Sequence, residues 1–225
     1  RKSLEKMVVA QLAQITRMQH DVIVTMANVI ESRDGTTGEH VKRTSIYTML
    51  LAEKMLEKGL YKEELTVQFL ENMRNAAPLH DIGKITIPDA VLTKPGKLSV
   101  EEYETIKTHA KAGADMLSKN MNQMVSPDFL KVACDMAQYH HEKWNGQGYP
   151  KGLVGEQIPL EARIMAIADV YDALVSKRCY KEAMSFSKAY EIIIESMGSH
   201  FDPSLEPVFK LSCNKLEAYY ANTIA

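Results

Sequence analysis

Residues 3–32 contain neither glycine nor proline, and this unbroken stretch constrains the fold more than any other feature of the chain. Apolar side chains recur through it in alternating steps of four and three residues, the spacing that lines one face of a helix. Gln19 takes the one polar position. The apolar stripe consists of Val8, Leu12, Ile15, Val22, Met26 and Val29. We expect one long N-terminal helix, which either lies on the rest of the molecule or forms a homodimer or signal-relaying contact through the stripe.

The rest of the sequence shows helical spacing and weak strand signals, which predicts an all-α domain. Expected helices cover about 40–58, 62–79, 100–119, 127–141, 159–175, 187–197 and 204–222. Two segments rich in glycine and proline, 83–98 and 145–157, are expected as loops. Ser99 and Glu102 form a capping-box pattern at the start of one helix. We therefore divide the chain into an N-terminal helix, 1–32, and one domain, 33–225.

Composition limits the class of function. Of the 225 residues, 45% are apolar and 25% are charged, which excludes a disordered or fibrous chain. The formal net charge of −2 argues against binding to long nucleic acid. Three scattered cysteines favour reduced thiols in the cytoplasm over a disulfide framework. No apolar run is long enough to predict a membrane span, and the start at Arg1-Lys2 indicates a fragment of a longer protein.

Histidines and carboxylates recur at the ends of predicted helices. His80-Asp81 ends one apolar helix, and His140-His141 precedes a glycine-rich break. Asp169 interrupts an apolar helical stretch, where a buried carboxylate needs a metal ion or a salt bridge. Imidazole and carboxylate without cysteine suit iron, manganese, zinc or nickel. The candidate ligands are His40, His80, Asp81, His109, His140, His141 and Asp169. They exceed the needs of one tetrahedral ion, so two ions fit better.

Two further features have alternative interpretations. Asp172 lies one helical turn after Asp169, where it either supports a ligand or is a surface charge. His20-Asp21 repeats the letters of the later pair, but it lies inside the N-terminal helix with no glycine or lysine after it. We assign that pair to a solvated helix face.

The order of these motifs resembles the HD-GYP branch of the HD phosphohydrolase superfamily, from about Glu31 to Pro203. The shared motifs are His40, His80-Asp81-Ile82-Gly83-Lys84, His109, His140-His141-Glu142, Gly148-Tyr149-Pro150 and Asp169. The resemblance implies an all-α HD-domain helical bundle and a bacterial signalling role. It implies hydrolysis of cyclic di-GMP to pGpG, or on to GMP, and an upstream receiver or sensor domain.

The resemblance also implies roles for individual residues. One ion would be held by His40, His80, Asp81 and Asp169, and the other by His109, His140 and His141, with Asp81 bridging. Lys84 would lie beside the bridging water and a phosphate oxygen, so Asp81 and Lys84 are the expected catalytic residues. Arg178 and Lys181 would hold substrate phosphate, and Tyr149 either packs the loop or contacts a guanine. Iron or manganese are the first candidates for the two ions, with nickel or zinc as alternatives.

Two positions depart from the pattern of the family. Members with a third metal carry a glutamate four residues before the first histidine, where this chain has Thr36. We therefore predict two ions. Many members have proline where Cys179 stands, so we expect a more mobile loop there.

Three functions stay open on the sequence. The first is a cyclic di-GMP phosphodiesterase, in which paired ions generate a nucleophile from water and screen the phosphate charge. The second is a catalytically silent domain that binds cyclic di-GMP or a protein. The third is a phosphohydrolase of another cyclic dinucleotide or nucleotide. The complete set of candidate ligands argues against the silent domain, and the Gly148-Tyr149-Pro150 motif favours the first function by resemblance alone.

Overall fold

The computed structural model describes residues 2–34, 39–177 and 183–224 and has an all-α fold. The α-helices are α1 (Lys2–Glu31), α2 (Glu39–Glu57), α3 (Val67–Ala76), α4 (Asp89–Leu92), α5 (Val100–Met121), α6 (Pro127–Tyr139), α7 (Leu160–Val175), α8 (Phe186–Glu195) and α9 (Glu206–Ile224). Short 3-10 turns span Ser32–Asp34, Ala77–Leu79, Ile82–Thr86, Gly155–Gln157 and Pro203–Leu205. Within these ranges there is no β-strand, which confirms the predicted fold class.

The core surrounds α7, a helix that is apolar on almost every side. Ile164, Met165 and Ile167 have no exposed surface, and burial of such a side chain contributes about 1.5–3 kcal/mol. α2, α6 and α8 pack against α7, and α9 packs against α2. This packing fixes the position of the few polar side chains that α7 carries, Asp169 and Asp172 among them.

Two predictions of secondary structure are wrong, the start of α3 and the loop 83–98. α3 begins at Val67 rather than near residue 62, because the Thr66 side chain caps it by accepting a hydrogen bond from the Phe69 amide. The segment 83–98 is not a continuous loop, because it includes most of the turn Ile82–Thr86 and all of α4. The predicted capping box at the start of α5 is present.

α1 packs on the domain near its C-terminal end, but not through the apolar stripe. Among the α1 side chains that the structure describes, the buried ones are Ala27, Ile30 and Glu31. The stripe faces away from the domain, and its members Val8, Ile15, Val22, Met26 and Val29 are 47–63% exposed. The side chain of Leu12 lies outside the described part of the chain. No described helix has the length and apolar character required to cross a bilayer.

Candidate metal centre

The seven candidate ligands come together at one buried point between four helices. His40 lies at the start of α2, His109 in the middle of α5, and Asp169 on α7. The two dipeptides lie at element ends, where His80-Asp81 joins two 3-10 turns and His140-His141 follows α6. Their ligand atoms fall into two groups, and within each group all of them lie within 4.8 Å of one another. One group is Asp81, His109, His140 and His141, and the other is His40, His80 and Asp169.

Asp81 lies between the two groups and presents one carboxylate oxygen to each. Its Oδ1 is 3.1 Å from His109 Nε2 and 3.5 Å from His140 Nε2. Its Oδ2 is 3.4 Å from His80 Nε2, on the other side. Burial raises the pKa of Asp81, but Lys84 and the histidines outweigh this effect and hold the pKa well below its usual range. The carboxylate is therefore ionised and placed to bridge two cations.

The histidine rings are oriented by main-chain hydrogen bonds. Nδ1 of His80, His109 and His140 lies 2.9, 2.7 and 2.9 Å from a carbonyl oxygen three or four residues earlier. A carbonyl only accepts, so each Nδ1 carries a proton, and Nε2 is the nitrogen that has the lone pair when the ring is neutral. These Nε2 atoms are buried and have no hydrogen-bond partner among the residues that the structure describes. Such an arrangement is typical of imidazoles that bind a metal.

The pKa is lowered for two of these histidines and raised for a third. Burial lowers the pKa of His140 and His141, so both are neutral at pH 7 and can donate a lone pair. Burial also lowers the pKa of His80, but the Asp81 carboxylate outweighs this effect, and the pKa rises to about 9. A proton and a metal ion would compete for Nε2 of His80.

Gly83 allows the turn that carries Asp81 to dock against α5. A Cβ at this position would lie 2.0 Å from the carbonyl oxygen of His109 and 2.5 Å from the amide nitrogen of Gly113. Both contacts are with main chain, which cannot move aside. The glycine after His80-Asp81 is therefore what brings that carboxylate to His109.

The loop after α6 is fixed by a buried carboxylate. Glu142 is 2% exposed and accepts hydrogen bonds from the amides of Lys151 and Leu153 at 2.7 and 3.0 Å. This clamp places Tyr149, whose ring centroid lies 4.8 Å from that of His141. Tyr149 therefore borders the ligand group that contains Asp81, His109, His140 and His141.

Lys84 places a positive charge beside the centre. Its Nζ is 2.8 Å from Asp81 Oδ2 and 2.7 Å from Glu31 Oε1. An oxygen of Glu31 also forms a third group within 4.8 Å with ligand atoms of His40 and Asp81. The sequence predicts no role for Glu31. The available signal was its position on the face of α1 opposite the stripe, beside Ala27 and Ile30.

The remaining residues singled out in the sequence either lie away from the metal centre or belong to the part of the chain that the structure does not describe. Thr36, Arg178, Cys179 and Lys181 are outside the described residues. His20 lies apart from the centre, with its Nδ1 3.2 Å from Asn75 Oδ1.

Comparison with known proteins identifies the family to which the chain is similar. Residues 24–205 match the HD domain family. A probable cyclic di-GMP phosphodiesterase of Vibrio cholerae is 44% identical over 207 residues, which are 92% of this chain and 47% of that protein. The 3'3'-cGAMP-specific phosphodiesterase 2 of the same organism is 37% identical, over 86% of this chain and 35% of that protein. The chain thus spans about half the length, or less, of these curated relatives.

A solved structure supports the same fold. The crystal structure of the cyclic GMP-AMP specific phosphodiesterase V-cGAP3 of Vibrio cholerae aligns with a TM-score of 0.61 and 22% identity, over 85% of this chain and 48% of that chain. With its motifs gathered around Asp81 and a family match from residue 24 to residue 205, the chain belongs to the HD domain family, in its HD-GYP branch.

Proposed function

We propose that the chain is a metal-dependent phosphodiesterase that opens the ring of cyclic di-GMP to give pGpG, or continues to GMP. The observation that supports this most directly is the position of Asp81, with one oxygen toward each of two groups of histidines. A single structural ion would not require a carboxylate shared between two such groups. The curated relative with 44% identity is named for this activity.

We propose two divalent ions, with iron or manganese first and nickel or zinc as alternatives. One would be held by His40, His80, Asp81 and Asp169, and the other by Asp81, His109, His140 and His141. When bound, such a pair supplies an activated water and positive charge for an anionic phosphodiester. The number two rests on Thr36, which stands where members of the family with a third metal carry glutamate.

The residues of the chain would divide the remaining tasks. Neutral imidazoles leave the charge of the ions uncancelled, which favours an anionic substrate. Lys84 is placed beside Asp81 to meet charge on a phosphoryl oxygen. Tyr149 closes one side of the site against His141. Arg178 and Lys181 are proposed to hold substrate phosphate.

The test combines metal content with product analysis. Protein purified without oxygen should contain about two ions per chain by elemental analysis and should convert cyclic di-GMP to pGpG. Asp81→Ala should abolish turnover, since it removes the shared carboxylate. Asp115→Ala, at an exposed carboxylate on α5, is the matched control and should remain active. No turnover of any cyclic dinucleotide by the metal-loaded wild type would refute the proposal.

A second candidate substrate is another cyclic dinucleotide. The relative with 37% identity is named as specific for 3'3'-cGAMP, which keeps the phosphodiester and changes one base. A comparison of kcat/KM on both dinucleotides decides between them. Tight binding without product would instead indicate a silent binding domain.

We also propose a homodimer, an upstream receiver or sensor domain and a cytoplasmic location. The exposed stripe of α1 supports the dimer, since apolar residues at heptad spacing favour a second helix. The free thiols of Cys134 and Cys213 fit a reducing compartment.

A further inference from the structure

We infer that Glu31 is a positioning residue that holds the ammonium group of Lys84, and that it thereby links the N-terminal helix to the candidate metal centre. The contact itself is independent of what the protein hydrolyses. Its effect on catalysis rests on the proposed function. Sequence spacing does not reveal this pair, since the two residues are separated by 53 positions.

The contact is short and shielded from water. Glu31 Oε1 lies 2.7 Å from Lys84 Nζ, and the two side chains are 2% and 14% exposed. A charge removed from water is costly unless it is paired, so neither group is readily released from the other. A charge-assisted hydrogen bond of this kind also fixes direction, because the ammonium proton must point at the carboxylate.

The main chain of Lys84 is held by the 3-10 turn that follows α1. Arg33, two residues after Glu31, donates from Nη1 to the carbonyl oxygen of Lys84 at 3.1 Å. Its Nη2 donates to the carbonyl oxygen of Ile87 at 2.9 Å and to Asp89 Oδ1 at 2.6 Å. Both the backbone and the side chain of Lys84 are therefore fixed from one segment, residues 31–33.

This arrangement determines where the ammonium group can lie. Lys84 Nζ is 2.8 Å from Asp81 Oδ2, so it lies between the proposed bridging carboxylate and Glu31. With Asp81 alone, the ammonium would be drawn onto that carboxylate. Glu31 provides a second anchor for the ammonium group, which keeps Nζ beside the centre. A cation bound by Asp81 would reduce the charge of that carboxylate, and the contact with Glu31 would still hold the ammonium group.

The competing interpretation is that Glu31 ligates a metal ion, because its oxygen lies within 4.8 Å of ligand atoms of His40 and Asp81. The two roles predict different results on removal of its charge. If Glu31 is a ligand, its substitution lowers the metal content. If it is a positioning residue, the metal content stays the same and the effect depends on the presence of Lys84.

The first experiment measures the contact without activity. Unfolding by urea is followed in metal-free wild type, Glu31→Gln, Lys84→Met and the double variant. A direct contact predicts that the double variant loses clearly less stability than the two single losses added together. Glu57→Gln, at an exposed carboxylate on α2, should add to Lys84→Met without coupling. Additive losses for Glu31 and Lys84 would overturn the inference.

The second experiment measures positioning. Glu31→Gln should lower kcat on cyclic di-GMP about 10²-fold with KM and metal content unchanged, since a small displacement of a catalytic group costs about this much. The double variant should lose little beyond Lys84→Met. Loss of one ion per chain, or wild-type kcat, in Glu31→Gln would overturn the positioning role. If the wild type turns over no cyclic dinucleotide, the proposed function fails, and the urea cycle still decides the contact.

Discussion

Asp172 Oδ2 lies 2.7 Å from Nδ1 of His40, at the point where the start of α2 meets α7. Asp172 is 1% exposed, and its other oxygen accepts a hydrogen bond from Arg43 Nε at 2.6 Å. Burial raises the pKa of Asp172, but His40 and Arg43 outweigh it and keep the pKa below its ordinary value. Asp172 is therefore not a surface charge. As an ionised acceptor it makes Nδ1 of His40 carry the proton and leaves Nε2 for a metal ion.

Asp172→Asn should weaken metal binding without removing a ligand. An amide can present its NH₂ group to Nδ1 and favour the wrong tautomer of His40, and loss of such a supporting carboxylate typically costs about 10–100-fold in metal affinity. The measurement is a metal titration against a competing chelator. Asp115→Asn on the surface of α5 should leave the affinity unchanged. Unchanged affinity in Asp172→Asn would mean that Arg43 or the fold alone orients His40.

Gly148→Ala should displace the loop that carries Tyr149. The added Cβ would lie 2.3 Å from the amide nitrogen of Lys143 and 2.4 Å from Cα of Glu142, and neither main-chain atom can give way. We expect a loss of about 1–3 kcal/mol in stability, as for other overpacked sites, and at least about tenfold lower kcat.

Trp144 is the single tryptophan of the chain and directly precedes this loop, so tryptophan fluorescence reports on the loop. Its fluorescence should therefore shift in Gly148→Ala and not in Gln147→Ala, a control at an exposed neighbour. Wild-type fluorescence and kcat in Gly148→Ala would show that the loop accommodates the methyl group elsewhere.

The periodicity of the sequence predicts the helices because burial of one face is a local property. The start of α3 is missed because Lys62, Glu63 and Glu64 are good helix formers, whereas the cap at Thr66 depends on a specific side-chain contact. The candidate ligands are found because their motifs lie at helix ends. Glu31 has no such motif, and its role depends on contact with a residue 53 positions away. Helical spacing predicts contacts only between residues within a few turns of each other, so it cannot predict this contact.

Val22→Asp should dissociate the proposed dimer and leave the domain folded. Val22 is 56% exposed on the apolar stripe, so a charge there costs nothing in the monomer. In a helix pair it would be buried, which should weaken the dimer at least about 10²-fold. Mass by light scattering provides the measurement, and Gln14→Asp, at an exposed polar position of α1, is the control. A wild type of monomer mass, or an unchanged mass for Val22→Asp, would contradict the proposal.

Glu161 should make stability decline as pH rises. It is buried at the start of α7, and its Oε1 has no hydrogen-bond partner within the described ranges. Burial raises its pKa from 4.5 to about 7, despite nearby Lys131 and Arg163. Below pH 4.5 both the folded and the unfolded chain hold the proton, so Glu161 has no effect. Between 4.5 and 7 the unfolded chain loses it first, which favours unfolding, and above 7 the cost is constant.

Glu161→Gln removes this titration. At pH 8 the variant should be more stable than wild type by about 3 kcal/mol, since the pKa is raised from 4.5 to about 7 and each pKa unit corresponds to about 1.4 kcal/mol, and near pH 4.5 the two should be alike. Urea unfolding of the metal-free proteins at both pH values measures the difference, and Glu156→Gln, at an exposed side chain, should follow wild type. Parallel stability curves for wild type and Glu161→Gln would show that Glu161 ionises normally in the folded chain, with Lys131 or Arg163 moving to meet its charge.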